Sequence, residues 1–252
     1  GVRPSPLPIA MPDRPAPVAL VTGSAHRLGN AIARRLHAAG YDLALHYRSQ
    51  RPELDTLLAD LEAARAGSTL ALQAELADTD RLPALVEKTV ARFGRLDALV
   101  NNASSYFATP LGVATTGDWD RLFASNAQAP FFLAQAAAPH LRAARGAIVN
   151  MTDIYARHPR ADHALYCMAK AALEAATRSL ALDLAPQVRV NSVAPGAILW
   201  GDGAGDDDPA RQQSMLARTP LARTGTPDEG AGAGRGRRSR RRTGGGPRPP
   251  GA

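Results

Sequence analysis

Two hydrophobic patterns alternate along the chain. Short, nearly continuous apolar runs predict buried strands, and longer runs with apolar residues at helical spacing predict helices. The strands are predicted at residues 18–22, 41–47, 69–73, 96–100, 147–151 and 188–193. The helices are predicted at residues 28–39, 52–66, 80–93, 126–144 and 163–184. Strands and helices that alternate in this way form right-handed strand–helix–strand units, so the fold class is α/β with a doubly wound parallel sheet.

The alternation covers one continuous stretch, which predicts a single domain at residues 16–229. Residues 1–15 are rich in proline and are expected to form a disordered lead-in, in which Met11 is a candidate translation start. Residues 230–252 are Gly, Ala, Arg, Pro, Ser and Thr, with no large apolar side chain. Such a tail cannot offset its ordering entropy by burial, so we expect it to be disordered.

The net charge of +7 is concentrated in this tail, which holds seven of the 30 lysines and arginines and no acidic residue. The other 23 basic residues equal the 23 acidic ones, so the rest of the chain is neutral. This balance argues against a nucleic acid as partner of the domain. Binding of nucleic acid through the tail is kept as an alternative function, because Arg/Gly-rich segments are typical of RNA-binding chains.

Cysteine content and hydropathy indicate the compartment. Cys167 is the single cysteine, which excludes an intrachain disulfide, and the six histidines show no spacing typical of metal ligands. No apolar run reaches 18 residues, and the first twenty residues lack the apolar core of a secretory signal. We therefore expect a cytoplasmic protein with neither a metal site nor a membrane span.

The first predicted strand runs into a glycine-containing turn, Thr22-Gly-Ser-Ala-His-Arg-Leu-Gly29, and then into a helix. Gly23 permits a tight turn, and Gly29 lets helix and strand pack closely. The amino end of the helix then offers backbone N–H groups to a pyrophosphate, and Arg27 adds a positive charge there. A turn of this kind is weak evidence alone, because many α/β domains use one for packing.

The second predicted strand ends in His46-Tyr-Arg-Ser49. A site selective for NAD usually carries an acidic residue here, which binds the ribose 2′-hydroxyl. Arg48 and Ser49 instead suit a 2′-phosphate, which favours NADPH as cofactor. The alternative is a solvated strand end without function.

Two further motifs lie later in the chain, in the last predicted helix and after the last predicted strand. Tyr166 and Lys170 lie four residues apart and therefore on one face of a helix, where an ammonium group would lower the pKa of the phenol and make Tyr166 a proton donor. An exposed helix face gives the same pattern by chance. Pro195 and Gly196 end the last predicted strand in a rigid turn suited to packing against a nicotinamide.

Residues 17–229 resemble the short-chain dehydrogenase/reductase family, which has a Rossmann-like fold. The resemblance is carried by the glycine turn, Asn101-Asn-Ala103, Asn126, the Tyr166/Lys170 pair and Pro195-Gly196. Within the family, the chain is similar to bacterial pteridine reductases. That similarity is carried by Arg27 and by residues 46–49, 101–106, 150–153 and 195–200.

The resemblance implies a set of site residues. The implied cofactor contacts are Gly23, Arg27, Leu28, Gly29, His46, Tyr47, Arg48, Ser49, Leu76, Asn102, Ala103, Ser104, Tyr166, Lys170, Pro195 and Gly196. The implied catalytic residues are Tyr166, Lys170, Asp153 and Asn126, and the implied substrate contacts are Ser104, Tyr106, Asp153 and Tyr166. In these roles Lys170 holds the nicotinamide ribose, Asn126 supports Lys170 through a water, and Tyr106 stacks on a pterin ring. Packing of Tyr106 on its own domain is the alternative.

Asp153 departs from the wider family, which usually has a serine at this position. A serine hydroxyl can donate to an alkoxide oxygen, whereas an ionised carboxylate can only accept. Asp153 therefore favours hydride addition to a C=N bond, with a proton delivered to nitrogen. We expect an NADPH-dependent reductase of a dihydropteridine or dihydrofolate-like substrate. The alternative within the family is reduction of a carbonyl such as a 3-oxoacyl thioester.

The chain departs from the family in two further places. Glu75 precedes Leu76 where the family usually has an aspartate near the adenine. The family's last strand has no counterpart before the Arg/Gly/Pro tail, which we explain by a change of reading frame after codon 229. The family usually forms homotetramers, but without this strand the chain is expected to assemble poorly.

Overall fold

Six parallel strands form one sheet at the centre of the molecule. The computed structural model describes residues 15–195, residue 213 and residues 226–233. The strands are β1 Val18–Val21, β2 Asp42–Tyr47, β3 Thr69–Gln73, β4 Ala98–Asn101, β5 Ala147–Met151 and β6 Arg189–Val193. Their order across the sheet is β3-β2-β1-β4-β5-β6, with every neighbouring pair parallel. The predicted Rossmann-like, doubly wound α/β fold is confirmed.

Helices cover both faces of the sheet. They are α1 Arg27–Ala38, α2 Pro52–Ala64, α3 Leu82–Phe93, α4 Thr116–Phe123, α5 Ala129–Ala144, α6 Ala164–Asp183 and α7 Pro227–Ala233. Successive residues of β1 point to opposite faces, so Leu20 packs in the core with α3 and α5, while Val21 packs with α1 and α2. Because both faces of a parallel sheet are covered, β1 is apolar and buried along its whole length.

The strand order reverses beside β1, and this reversal places the site. β1 pairs with β2 on one side and with β4 on the other, so the chain leaves the carboxyl end of β1 between two crossovers that turn in opposite directions. Ligands of open α/β sheets bind in the crevice at such a point. The predicted site residues follow β1, β2, β4, β5 and β6 at this same edge.

One helix and its junction were not predicted from the sequence. Thr115 accepts from the Asp118 N–H while the Asp118 carboxylate accepts from the Thr115 N–H, and this capping box begins α4. The helix predicted at residues 126–144 begins at Ala129, and a π-helical turn, Ala124–Gln128, connects it to α4. Pro130 lacks the N–H that an α-helical bond to Asn126 would need, so the helical bonding is interrupted here.

Helix α7 continues to Ala233, past residue 230 at which the disordered tail is predicted to begin, and the domain bounds stay a prediction. Reciprocal hydrogen bonds between Thr226 and Glu229 cap this helix, and Ala231 packs on the core beside α1. The small residues of α7 are sufficient to form a helix because α7 packs against α1. Residues 1–14 and 234–252 lie outside the described residues. The expectation that the family's last strand has no counterpart also concerns residues outside them. Within the described part of the chain, no helix is long and apolar enough to cross a membrane.

Candidate active site

A cleft of about 920 Å³ opens at the carboxyl ends of the strands. Sixteen residues predicted from the sequence line it: Gly23, Arg27, Leu28, Gly29, His46, Tyr47, Arg48, Ser49, Leu76, Asn102, Ala103, Ser104, Tyr106, Tyr166, Lys170 and Pro195. Asp153 and Asn126 lie directly behind this lining and bond to it. Gly196 lies outside the described residues. The fold thus brings segments from 23 to 195 into one elongated cavity.

The glycine turn forms one end of the cleft. Gly23 has φ +64°, and a Cβ there would lie 2.8 Å from the Ala103 Cα. A Cβ on Gly29 would lie 2.0 Å from the Gly23 carbonyl oxygen. Both positions therefore require glycine. A Cβ on Gly23 would clash with Ala103, which follows β4, and a Cβ on Gly29 would clash with the turn itself.

Side chains from β1 and β4 lock this turn in place. Asn102 Nδ2 donates to the carbonyl oxygens of Thr22 and Gly23, each at 3.0 Å. Thr22 Oγ1 accepts from the N–H groups of Asn102 and Ala103, again at 3.0 Å. The sequence interpretation missed this role of Thr22, although the residue begins the glycine turn.

The start of α1 suits an anion. No acidic residue occupies its first turn, and Arg27 supplies a cation at the end where backbone N–H groups point outward. Arg48 and Ser49 follow β2 on the same side of the cleft, and Gln73 donates to the Arg48 carbonyl oxygen, which fixes that loop to β3. Arg51, which the sequence interpretation did not select, also lines this end.

His46 lines the cleft but is 1% exposed. Its two ring nitrogens already bond to the backbone of Gly23 and Ala74. Burial lowers the pKa of the imidazole, against opposing effects of the Ala74 carbonyl and the Glu75 carboxylate. The direct cofactor contact predicted for His46 therefore stays a prediction, while the structure gives the residue a part in holding the cleft wall.

Tyr166, in the lining of the same cleft, contacts Asp153. The Tyr166 hydroxyl donates to Asp153 Oδ2 at 2.7 Å, while Asp153 Oδ1 accepts from the Tyr155 N–H at 2.9 Å. Tyr166 is 4% exposed. Burial and the Asp153 carboxylate raise the pKa of the Tyr166 phenol, and the neighbouring Ser104 hydroxyl partly opposes them. The phenol is thus held in its protonated form.

Lys170 lies one helical turn further along α6 and is 3% exposed. Its Nζ donates to the Met151 carbonyl oxygen at 2.8 Å and lies 5.8 Å from the Tyr166 ring centroid. Burial lowers the pKa of Lys170 to about 8, and Asp153 acts in the opposite direction. The pKa of Tyr166 is raised because burial and the adjacent carboxylate dominate, and the prediction that Lys170 lowers it stays a prediction.

Asn126 lies buried in the π-helical turn. Its Oδ1 accepts from Ser104 Oγ at 2.7 Å, and its Nδ2 donates to the carbonyl oxygens of Ser105 and Leu122 at 2.8 and 2.9 Å. Asn126 therefore orients Ser104, which lies beside the Tyr166 hydroxyl. The predicted link to Lys170 through a water stays a prediction.

Tyr106 forms the wall beside Tyr166. The two rings meet edge to face, with centroids 4.8 Å apart. On its other side Tyr106 stacks on His163 at 4.9 Å, and its hydroxyl accepts a hydrogen bond from Arg160. The sequence interpretation missed Arg160 and His163. A hydrogen bond from the Thr109 N–H to the Asp162 carbonyl oxygen brings their loop to Tyr106, and no local pattern indicates that pairing.

Residues 23–234 match the family model described as enoyl-(acyl carrier protein) reductase. The chain belongs to the short-chain dehydrogenase/reductase family. It is 42% identical over 226 residues to pteridine reductase 1 of Leishmania tarentolae, a match covering 74% of this chain and 78% of that protein. It is 34% identical over 209 residues to the 3-oxoacyl-[acyl-carrier-protein] reductase of Staphylococcus aureus, covering 82% and 84%. As a member of this family, the chain is an oxidoreductase that uses a nicotinamide cofactor.

Proposed function

We propose that this chain is an NADPH-dependent reductase that adds hydride and a proton across a C=N bond of a dihydropteridine or dihydrofolate-like substrate. The observation that carries the proposal is the hydrogen bond from the Tyr166 hydroxyl to the Asp153 carboxylate. A hydroxyl at position 153 could donate to a developing alkoxide, whereas a carboxylate repels one and can accept and return a proton.

The cleft fits a nicotinamide dinucleotide. Gly23 and Gly29 leave a cradle that a Cβ would fill, and the amino end of α1 with Arg27 offers positive charge to the diphosphate. Arg48 and Ser49 at the end of β2 support the preference for a 2′-phosphate. When bound, the cofactor supplies the hydride. Lys170, which also lines the cleft, would hold the nicotinamide ribose.

Proton delivery falls to Tyr166. The phenol is protonated at neutral pH, a preference that its raised pKa strengthens, so the group enters each turnover with a proton to give. As the carbon of the C=N bond gains hydride, the nitrogen gains electron density and takes the phenolic proton. The phenolate left behind lies 2.7 Å from Asp153, and this repulsion favours rapid return of a proton from solvent through the carboxylate.

The position of Tyr106 favours a substrate with a flat heteroaromatic ring. Tyr106 stands edge-on to Tyr166, and Arg160 and His163 hold it from behind. An aromatic face in this position would hold a pterin ring between itself and the nicotinamide. The relative from Leishmania tarentolae, named for pteridine reduction, agrees with this substrate class.

Carbonyl reduction is the second candidate, favoured by the similarity to the 3-oxoacyl-[acyl-carrier-protein] reductase. The two candidates are separated by an assay of the purified full-length chain. Absorbance measures the oxidation of NADPH, once with a dihydropteridine and once with a 3-oxoacyl thioester as substrate. We expect kcat/KM to be at least about tenfold higher for the dihydropteridine, a difference of about 1.4 kcal/mol in the barrier. A preference for the thioester would instead establish the second candidate. Cytoplasmic location and tetrameric assembly stay predictions.

A further inference from the structure

His46 is a buried histidine in the wall of the cofactor cleft, outside the reacting centre. It lies near the end of β2 and is 1% exposed. Gly23 of the glycine turn donates its backbone N–H to His46 Nδ1 at 3.2 Å. On the opposite side of the ring, His46 Nε2 lies 3.2 Å from the carbonyl oxygen of Ala74, which follows β3.

These two partners fix the tautomer of the imidazole. A carbonyl oxygen can only accept, so Nε2 carries the hydrogen and donates to Ala74. A backbone N–H can only donate, so Nδ1 carries the lone pair that receives Gly23. One neutral tautomer satisfies both contacts, and a charged ring would direct a second N–H against that of Gly23. The lowered pKa caused by burial is consistent with this neutral form.

The backbone of His46 holds the next residue of the same turn. Both the N–H and the hydroxyl of Ser24 donate to the His46 carbonyl oxygen at 3.0 Å. Asn102 binds the Gly23 carbonyl oxygen from the other side, also at 3.0 Å. Gly23 is therefore fixed at its N–H by His46 and at its carbonyl by Asn102, and together they define the φ of +64° that shapes the turn.

We propose that His46 is a positioning residue: by accepting the Gly23 N–H, it sets the shape of the phosphate-binding turn and so the affinity for the diphosphate that NADPH and NADH share. This inference rests on the proposed binding of the cofactor diphosphate at the turn. It differs from the role of Arg48, which would act on the 2′-phosphate and thus on NADPH alone.

Two amide substitutions separate the two nitrogens of the ring. In His46→Asn the side-chain oxygen lies near the place of Nδ1 and can still accept from Gly23, whereas in His46→Gln the amide reaches toward Ala74 and leaves the Gly23 N–H without its acceptor. Fluorescence titration of the full-length chain measures Kd for each cofactor. We expect His46→Gln to raise Kd for both NADPH and NADH by about tenfold, and His46→Asn to keep both within about threefold of the parent.

His37 provides the matched control. It is also buried, and its Nε2 bonds to Ser68 Oγ at 2.8 Å, away from the cleft. His37→Gln should lower the melting temperature without changing either Kd. Equal weakening by the two His46 variants, or a change in the ratio of the NADPH and NADH constants, would overturn the positioning role.

A measurement on the parent chain keeps the inference testable if a variant fails to fold. The ¹⁵N shifts of the His46 ring should report hydrogen on Nε2, and an Nδ1–H tautomer would contradict the proposed contact to Gly23. A parent chain that binds neither cofactor would overturn the proposed function, and this inference with it. A parent that binds both, with variants that do not differ, would overturn the inference alone.

Discussion

Replacement of Asp153 by asparagine tests the chemistry most directly, because it removes the charge and keeps the shape. Asp153 uses one oxygen for the Tyr155 N–H and the other for the Tyr166 hydroxyl. In Asp153→Asn the amide oxygen can keep the contact to Tyr155, so the amide N–H₂ group turns toward the phenol. The phenol oxygen must then accept a hydrogen bond where it previously donated one.

The size of the effect follows from this reversal. The polar neighbours keep partners, so we expect the loss of folding stability to be small, about 1 kcal/mol, the difference between a charge-assisted and a neutral hydrogen bond. The pKa of Tyr166 should fall, because the carboxylate is among the causes that raise it. Turnover should fall by about 10²-fold or more, since an amide cannot return a proton to the phenolate and acid–base catalysis contributes about 10²–10⁴-fold.

Stopped-flow oxidation of NADPH by a dihydropteridine gives kcat. Glu174→Gln is the control, since Glu174 pairs with Arg157 and Arg178. The reasoning is wrong if Asp153→Asn keeps the parent kcat. Asp153→Ser adds a test of substrate class: it should impair pteridine reduction more than any activity on ketones, and equal losses would count against the C=N proposal.

Further predictions address single residues of the same cleft. Arg48→Asp should weaken NADPH binding while sparing NADH, and unchanged discrimination in fluorescence titrations would contradict the assigned 2′-phosphate contact. Tyr166→Phe should retain NADPH binding but lose about 10²–10⁴-fold in kcat, and near-parent turnover would mean that the proton comes from another group. Arg160→Leu should raise KM for the dihydropteridine with little change in Kd for NADPH, because Arg160 holds the hydroxyl of Tyr106; equal effects on both ligands would indicate general damage to the cleft. In the folded chain the pKa of Lys170 is about 8, below the ordinary value that it has in the unfolded chain. Between these two values the unfolded chain binds more protons, so the free energy of unfolding should rise with pH. Lys170→Met should remove this rise. Denaturant titrations across this range measure that slope, and an unchanged slope would refute the assignment.

The centre of the sheet was predictable because β1 is apolar and buried on both faces. Continuous runs such as residues 18–21 give a strong signal, and turns such as Gly40 and Gly94 separate them from the helices. α4 has no such signal: Leu122 is its one buried residue, and a capping box at Thr115 begins it. Short helices held by local polar contacts leave little hydrophobic periodicity in a sequence.

The site was predictable where its residues are carried by strand ends and missed where they depend on long-range contacts. Gly23 and Tyr166 follow from local motifs. Arg160 reaches the site because a loop after β5 folds back on the loop after β4, a pairing that neither segment indicates alone. The shift in the pKa of Tyr166 was also missed, because it depends on burial and on a carboxylate 13 positions away in the chain.

Burial shifts the pKa of three ionisable groups that line the cleft, His46, Tyr166 and Lys170. At the turn, burial lowers the pKa of His46 and so keeps it neutral, as its bond with Gly23 requires. Burial raises the pKa of Tyr166, which favours the protonated phenol that the proposed proton transfer needs. Burial also lowers the pKa of Lys170, but to about 8, so the ammonium persists near neutral pH and is lost above it. Removal from water thus favours the neutral form at all three groups. Neutrality is required at His46 for its contact with Gly23 and at Tyr166 for the proposed proton transfer. At Lys170 it would set an upper limit on the pH at which the proposed ribose contact acts.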